Sequence, residues 1–310
     1  MTQLTHATEV FASNSTAPIA LFVYNRPDHT RQTIEALQQN VLALDSNLFI
    51  YSDAPKNPTA AAQVEEVRRF VKSLSGFRSV TVVEREKNWG VDPSIIDGVT
   101  VLCEKYGHVI VLEDDLVTSP WFLTFMNESL SRYRDDERVM QVGGFMFPLD
   151  GVDESKASFL PYVTCWGWAT WKRAWDQFDA TAAGYAFLKA DESRRRAFDL
   201  NGAYFYFDLL QSYIDGKTDA WDIRWYLSVF LKDGLALFPN KTLVRNIGFD
   251  GTGTHDSPTV FSGDQLNAGK VEKFPSIVMD ARIWKAIESY LKAQRRSPFK
   301  NMVSRMFRWA

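Results

Sequence analysis

The first third of the chain alternates between two hydrophobic patterns. Short apolar or β-branched runs occupy residues 19–24, 48–51, 79–83 and 108–112. Each is brief and continuous, which suits a strand covered on both faces better than a half-exposed one. Longer stretches with apolar residues at helical spacing lie between them. They cover residues 30–40, 59–74 (with Val64, Val67, Phe70 and Val71 on one face) and about 93–105. Asp28 is a candidate cap for the first helix, and Pro93 suits the first turn of the third. The order β-α-β-α-β-α-β with short connections predicts a parallel sheet with right-handed crossovers.

The pattern is less regular after residue 116. A helix is expected over 120–133, with Trp121, Phe122, Phe125 and Leu130 inward. A strand follows at 139–144, where Gly143 and Gly144 suggest close approach of backbone or ligand. Residues up to Pro161 read as a loop. Residues 164–175 carry Trp166, Trp168, Trp171 and Trp175. The last three stand at helical spacing, so a helix entering a core is one reading. An aromatic cleft wall, with Gly167 leaving room for a ligand, is the other, and the two are compatible. Residues 193–216 read as helical with polar breaks. A helix beginning at Asp222 runs to Lys232, strands cover 235–238 and 242–244, a glycine-punctuated loop covers 246–255, and a last helix covers 280–294. The fold class is α/β, a mixed sheet with a mostly parallel N-terminal half flanked by helices. One domain spans 17–279, after a flexible lead-in over 1–16 and before a C-terminal helix and tail over 280–310.

Composition narrows the function. A 45% hydrophobic and 24% charged chain of 310 residues is typical of a soluble globular protein. A net charge of -3 gives no electrostatic case for nucleic acid. The 2 cysteines are too few for a disulfide framework and have no zinc-site spacing. Neither a signal peptide nor a membrane span is expected, and the cytoplasm is the expected compartment.

Chemistry concentrates at His108-Val109-Ile110-Val111-Leu112-Glu113-Asp114-Asp115-Leu116. Three adjacent acids cannot continue a buried strand, because unpaired buried carboxylates are too costly. They belong at its carboxyl end, where open parallel sheets hold their ligand crevice. A divalent cation relieves their repulsion, and carboxylate oxygens suit Mg²⁺ or Mn²⁺. An exposed acidic turn is the plainer alternative. Arg26 follows the first strand and Asp53 the second, at the same edge, although ordinary loop polarity also accounts for them. No phosphate-binding glycine loop follows the first strand. Asp222 is a helix cap or a functional acid, and His255 an exposed loop histidine or a ligand-facing one.

The Ile-Val-Leu-Glu-Asp-Asp-Leu string, Trp166-Gly167-Trp168 and Trp221-Asp222 together resemble the GT-A fold glycosyltransferases, over about residues 18–258. The chain looks most like the family of N-acetylglucosaminyltransferase I and its bacterial relatives. That resemblance implies a metal-dependent inverting transferase using a nucleotide-diphosphate sugar, such as UDP-GlcNAc, on a glycan or lipid-linked acceptor in bacterial surface glycan synthesis. Asp115 would ligate Mn²⁺ or Mg²⁺. Glu113 and Asp114 would contact the donor's sugar and ribose. Arg26 and Asp53 would hold the nucleotide, and His255 would fall in a loop closing over the donor. Asp222 would be the general base, with Trp166, Trp168 and Trp221 against the acceptor. Residues 17–116 would form the nucleotide half and 117–279 the acceptor half. Ile223 departs from the family pattern, which has a second acid there, and no N-terminal anchor like that of the animal enzymes is expected.

Rival readings are a sugar-phosphate nucleotidyltransferase and a non-catalytic carbohydrate-binding protein. The first wants a basic glycine-rich loop where Asn25-Arg26-Pro27 stands, and the second leaves the ordered acids unexplained. Residues 295–309 carry five basic and no acidic residues, with Phe299, Met302, Val303, Met306 and Phe307 largely on one helical side. Such a tail suits peripheral contact with the inner membrane face, or docking on protein.

Overall fold

The structure is a computed structural model that describes residues 16–251 and 266–296, without the side chains of the last two. His255 and nearly all of the basic tail lie outside the described residues. The first half follows the expected order: β1 (Ile19–Val23), α1 (Pro27–Gln38), β2 (Asn47–Ser52), α2 (Pro58–Lys72), β3 (Ser79–Glu84), α3 (Val91–Tyr106) and β4 (His108–Glu113). Asp28 sits inside the first turn of α1 rather than capping it, because Pro27 already occupies the helix start. Its charge still favours the helix dipole there. Asn57 caps α2 by accepting from the Ala60 N–H at 3.0 Å. Gly107, at φ +78°, ends α3 by donating its N–H to the Cys103 carbonyl at 2.8 Å.

The four strands pair in parallel in the order β3-β2-β1-β4. Two crossovers step outward from β1, and the third steps back past it to β4. Right-handed connections therefore put α1 and α2 on one face and α3 on the other. The direction of winding reverses between β1 and β4, where open sheets form their crevice. Register brings Val23, Ser52 and Glu84 into one row, with Glu113 opposite Phe22.

The second half comprises β5 (Leu116–Thr118), α4 (Phe122–Arg132), β6 (Val139–Gly143), β7 (Ala157–Leu160), β8 (Trp168–Trp171), α5 (Lys172–Trp175), α6 (Tyr185–Ala190), α7 (Glu192–Phe198), α8 (Tyr206–Ile214), α9 (Trp221–Leu231), β9 (Leu235–Pro239), β10 (Val244–Asn246) and α10 (Ala281–Arg296). β8 lies antiparallel between β4 and β6, and β9 and β7 complete one eight-stranded sheet. Both halves thus share a single sheet. β5 and β10 form a separate antiparallel ribbon beside the acids.

Three expectations change. The tryptophan run is mainly a strand. Trp168 and Trp171 stand three apart on β8 and so face opposite sides. Trp168 packs near Trp221 and Trp225 of α9, whereas the Trp171 indole N–H donates to the Leu130 carbonyl of α4 at 3.0 Å. β7 falls inside the segment read as a loop, because a four-residue strand carries almost no periodic signal. Gly167 leaves no room for a ligand, since a Cβ there would lie 2.7 Å from Val244.

Gly144 is needed for the same backbone approach. Its N–H donates to the Gly167 carbonyl at 2.7 Å, and an added Cβ would come within 2.8 Å of that oxygen. Gly144→Ala should therefore lower stability by about 1–3 kcal/mol, read as an earlier midpoint in urea unfolding. An unchanged midpoint would mean that this junction of β6, β8 and β10 yields freely.

Candidate active site

Glu113 ends β4, Asp114 and Asp115 form a turn, and Leu116 begins β5. The turn lies at the β1–β4 switch point. Arg26, three residues past β1, reaches across to it. Its guanidinium donates to Asp114 and, at 2.8 Å, to Asp115 Oδ2. Two backbone-linked contacts hold the turn as well. The Tyr24 N–H donates to Asp114 Oδ2 at 3.4 Å, and the Thr33 hydroxyl of α1 donates to the Asp114 carbonyl at 2.8 Å.

Charge balance here is unfavourable for full ionisation. Burial opposes the Arg26 cation, but Asp114 and Asp115 outweigh it and hold the guanidinium protonated. Burial pushes Asp114 up, with Arg26 opposing. Burial, then Asp115 and Asp114, push Glu113 well above the carboxylate range. Three carboxylates against one guanidinium leave a site that a further cation would relieve. Among the described residues no three His, Cys, Asp or Glu side chains are grouped to hold a metal by themselves. The donor set still fits Mg²⁺ or Mn²⁺, which need only one or two carboxylates when phosphates and water supply the rest. Asp115 would be that carboxylate.

The start of the 246–255 loop covers this turn. The Ile247 N–H donates to the Asp115 carbonyl at 2.8 Å. Gly248 follows, where a Cβ would lie 2.1 Å from Asp115 Oδ2. His29 Nε2 lies 3.2 Å from Asp250 Oδ2, pinning the segment to α1. The glycines of 246–255 mark a loop, but no local pattern singles out His29 or Asp250.

Asp53 has a different employment. Its carboxylate accepts from the N–H groups of Ala54, Trp89 and Gly90 and from the Asn88 side chain, at 2.8–3.1 Å. It braces the loop leading into α3 to the end of β2, with its oxygens already occupied.

Asp222 enters from the second half, in the first turn of α9, whose cap is Ala220. The side chain is half-buried, and its Oδ1 has no hydrogen-bond partner among the described residues. Burial and then Asp92 push it up to about 7, against the N–H groups at the helix start and Arg224. Arg224 fixes this helix end. It donates to the Ala220 carbonyl at 3.1 Å and to Asp92 Oδ2 of α3 at 2.6 Å, with both charged groups buried. The charge of Asp222 also raises Glu113, and Asp222, Glu113 and Asp115 all raise the buried thiol of Cys165. The acid turn and Asp222 thus act on one space, with Cys165 within reach of both.

The tryptophans stand behind that space. Trp166, Trp168 and Trp221 are at most 2% exposed. Trp168 stacks on Trp221 at 5.3 Å, and Trp166 meets Phe249 of the covering segment edge-on at 5.5 Å. As folded, no ring lies open to an acceptor.

No protein-family model and no curated protein matches the chain. Among solved structures it is similar to the mannosyltransferase PcManGT of Pyrobaculum calidifontis, in complex with GDP-Man and Mn²⁺ (TM-score 0.42, 13% identity, 70% of each chain). It is also similar to S. aureus TarS 1-349 (TM-score 0.41, 13% identity), with 74% of this chain against 59% of that one. The same TarS fragment with UDP-GlcNAc gives a TM-score of 0.40 at 13% identity, with 74% of this chain against 57%. Similarity this distant carries no chemistry from those proteins to this one.

The raised acids set a pH dependence. Asp92 is pushed up to about 6 by burial, and Asp222 to about 7. The folded protein then binds more protons than the unfolded chain between about pH 4 and those values, so stability falls as pH rises through that window. The melting temperature should be lower at pH 8 than at pH 5. Asp222→Asn should flatten the slope and recover roughly 1–3 kcal/mol at pH 8. A variant less stable than the parent at pH 8 would contradict a strained, ionised Asp222.

Proposed function

We propose that the chain is a metal-dependent inverting glycosyltransferase. It moves a sugar from a nucleotide-diphosphate donor, a UDP-sugar such as UDP-GlcNAc, to an acceptor hydroxyl on a glycan or lipid-linked substrate. The observation that carries this reading is the acid turn at the β1–β4 switch point, held by Arg26, with Asp222 near enough for its charge to raise Glu113. The resemblance of the sequence motifs supports the donor class.

Each residue then has a physical task. Asp115 and Arg26 bind at the diphosphate end. Bound Mn²⁺ or Mg²⁺ supplies Lewis-acid stabilisation of the leaving diphosphate. Glu113 offers its carboxyl group to the hydroxyls of the donor sugar. The acceptor oxygen attacks the anomeric carbon from the face opposite the diphosphate. The new C–O bond forms as the old one breaks, and its electron pair leaves with the phosphate. Asp222 takes the acceptor's proton, a task suited to a carboxylate near 7. Segment 246–251 excludes water above Asp115. Asp53 supports the nucleotide side by fixing the 88–90 loop.

Two experiments test this. Calorimetry should show UDP binding that requires Mn²⁺, and Asp115→Ala should abolish it. Equal UDP binding with and without metal, in either protein, would reject the metal role. A screen of nucleotide sugars should find a donor hydrolysed or transferred with Mn²⁺. On that donor, Asp222→Asn should lower kcat about 10²–10⁴-fold with donor binding intact. The parent's rate should rise with pH toward a plateau above about 7, because the base acts only when ionised. Full activity in Asp222→Asn would leave this residue as helix-end structure.

A further inference from the structure

A small cavity of about 20 Å³ lies directly beside Asp222, lined in part by Thr164, Cys165, Tyr206, Trp221 and Trp225. A space of this size holds one water molecule. Three of its lining residues carry a buried side-chain polar atom with no hydrogen-bond partner among the described residues: Thr164 Oγ1, Trp221 Nε1 and Asp222 Oδ1. Thr164 is 5% exposed and Trp221 2%. Buried polar groups left unpaired are costly, and their coincidence on one water-sized cavity points to a shared partner.

We propose that one buried water bridges these three atoms and makes Trp221 and Thr164 positioning residues for Asp222. The indole N–H and the threonine hydroxyl donate to the water, and the water donates to Asp222 Oδ1. That is three hydrogen bonds, the usual complement of a buried water. All three orphaned atoms are then satisfied. With Oδ1 held by the water, the other oxygen is left to the N–H groups at the helix start and to an arriving acceptor hydroxyl. The water stabilises the ionised carboxylate against the burial that opposes it. Ionisable or charged groups around Asp222 are Asp92 from α3, Glu113 from β4, Cys165 before β8, Tyr206 from α8 and Arg224 from α9. None of these side chains needs to change for the water to act.

The base-positioning role rests on the proposed transferase reading, whereas the water itself does not, so the test separates them. A crystal structure of the full chain should show an ordered water within hydrogen-bonding distance of all three atoms. Trp221→Phe keeps the ring against Trp168 and removes only the N–H, and Thr164→Val removes only the hydroxyl. Each should raise the titration midpoint of the Asp222 carboxyl, followed by carbon NMR, by about half to one pH unit. With a donor in hand, the acidic limb of the pH–rate profile should move by the same amount while donor KM stays fixed. The double variant should shift little further, because both groups act through one molecule. No water at the three atoms, or two variants with an unmoved Asp222 midpoint, would overturn the proposal. A confirmed water with the expected shift, in a protein that turns over no nucleotide sugar, would overturn the transferase reading alone.

Discussion

A single guanidinium between two carboxylates holds the candidate site together. The turn after β4 places Glu113, Asp114 and Asp115 in succession, and their mutual repulsion would open it without a cation. Arg26 supplies that cation because β1 and β4 are neighbours in the sheet, so a residue just past β1 lies beside the end of β4. The surrounding structure is arranged on this pair. Thr33 of α1 anchors the Asp114 carbonyl, and the backbone of 247–248 lies on Asp115 closely enough to require a glycine. Removing the guanidinium would leave buried charge unpaired, the change that buried ion networks tolerate least.

Asp222 depends on a second constraint, the Asp92–Arg224 pair. This bridge ties the start of α9 to the start of α3, and so joins the carboxylate to the half of the chain that carries the acid turn. Its electrostatic effect is mixed. Asp92 raises Asp222 whereas Arg224 lowers it, and burial is larger than either. Trp221 and Trp225 line the space beside Asp222. Trp168 stacks on Trp221, and Trp225 donates its indole N–H to Gln141 of β6 at 2.7 Å. Gln141 in turn donates to the Thr164 carbonyl at 2.8 Å, which fixes the chain just before Cys165. A buried carboxylate retains protons to higher pH than one in water.

The two halves are therefore joined through the sheet. β8, from the second half, pairs with β4, from the first. Its Trp168 stacks on Trp221, the chain neighbour of Asp222, while β4 leads straight into the acids. A shift in one strand would move both sides of the candidate site together, which suits a reaction needing two groups at a fixed separation.

The parallel half and the position of its acids were legible in the sequence. Strands buried on both faces need continuous apolar residues, and charge cannot extend such a strand, so both the runs and their ends are written locally. Asp222 stood out as an acid at a helix start beside a tryptophan. Which residues meet was decided by the tertiary fold. The periodicity of Trp168, Trp171 and Trp175 suits a helix, but pairing with β4 and β6 makes the segment a strand and splits the rings between two faces. Gly144 reads as close approach of backbone or ligand and Gly167 as ligand room, and only the arrival of Val244 and Phe122 beside them makes both close packing contacts. The occupation of Asp53 by the 88–90 loop, the reach of Arg26 and the cavity beside Asp222 likewise join residues far apart in the chain. Local sequence sets burial and period within one element. Strand order and long-range packing set which elements face each other, and a site is made of such facings.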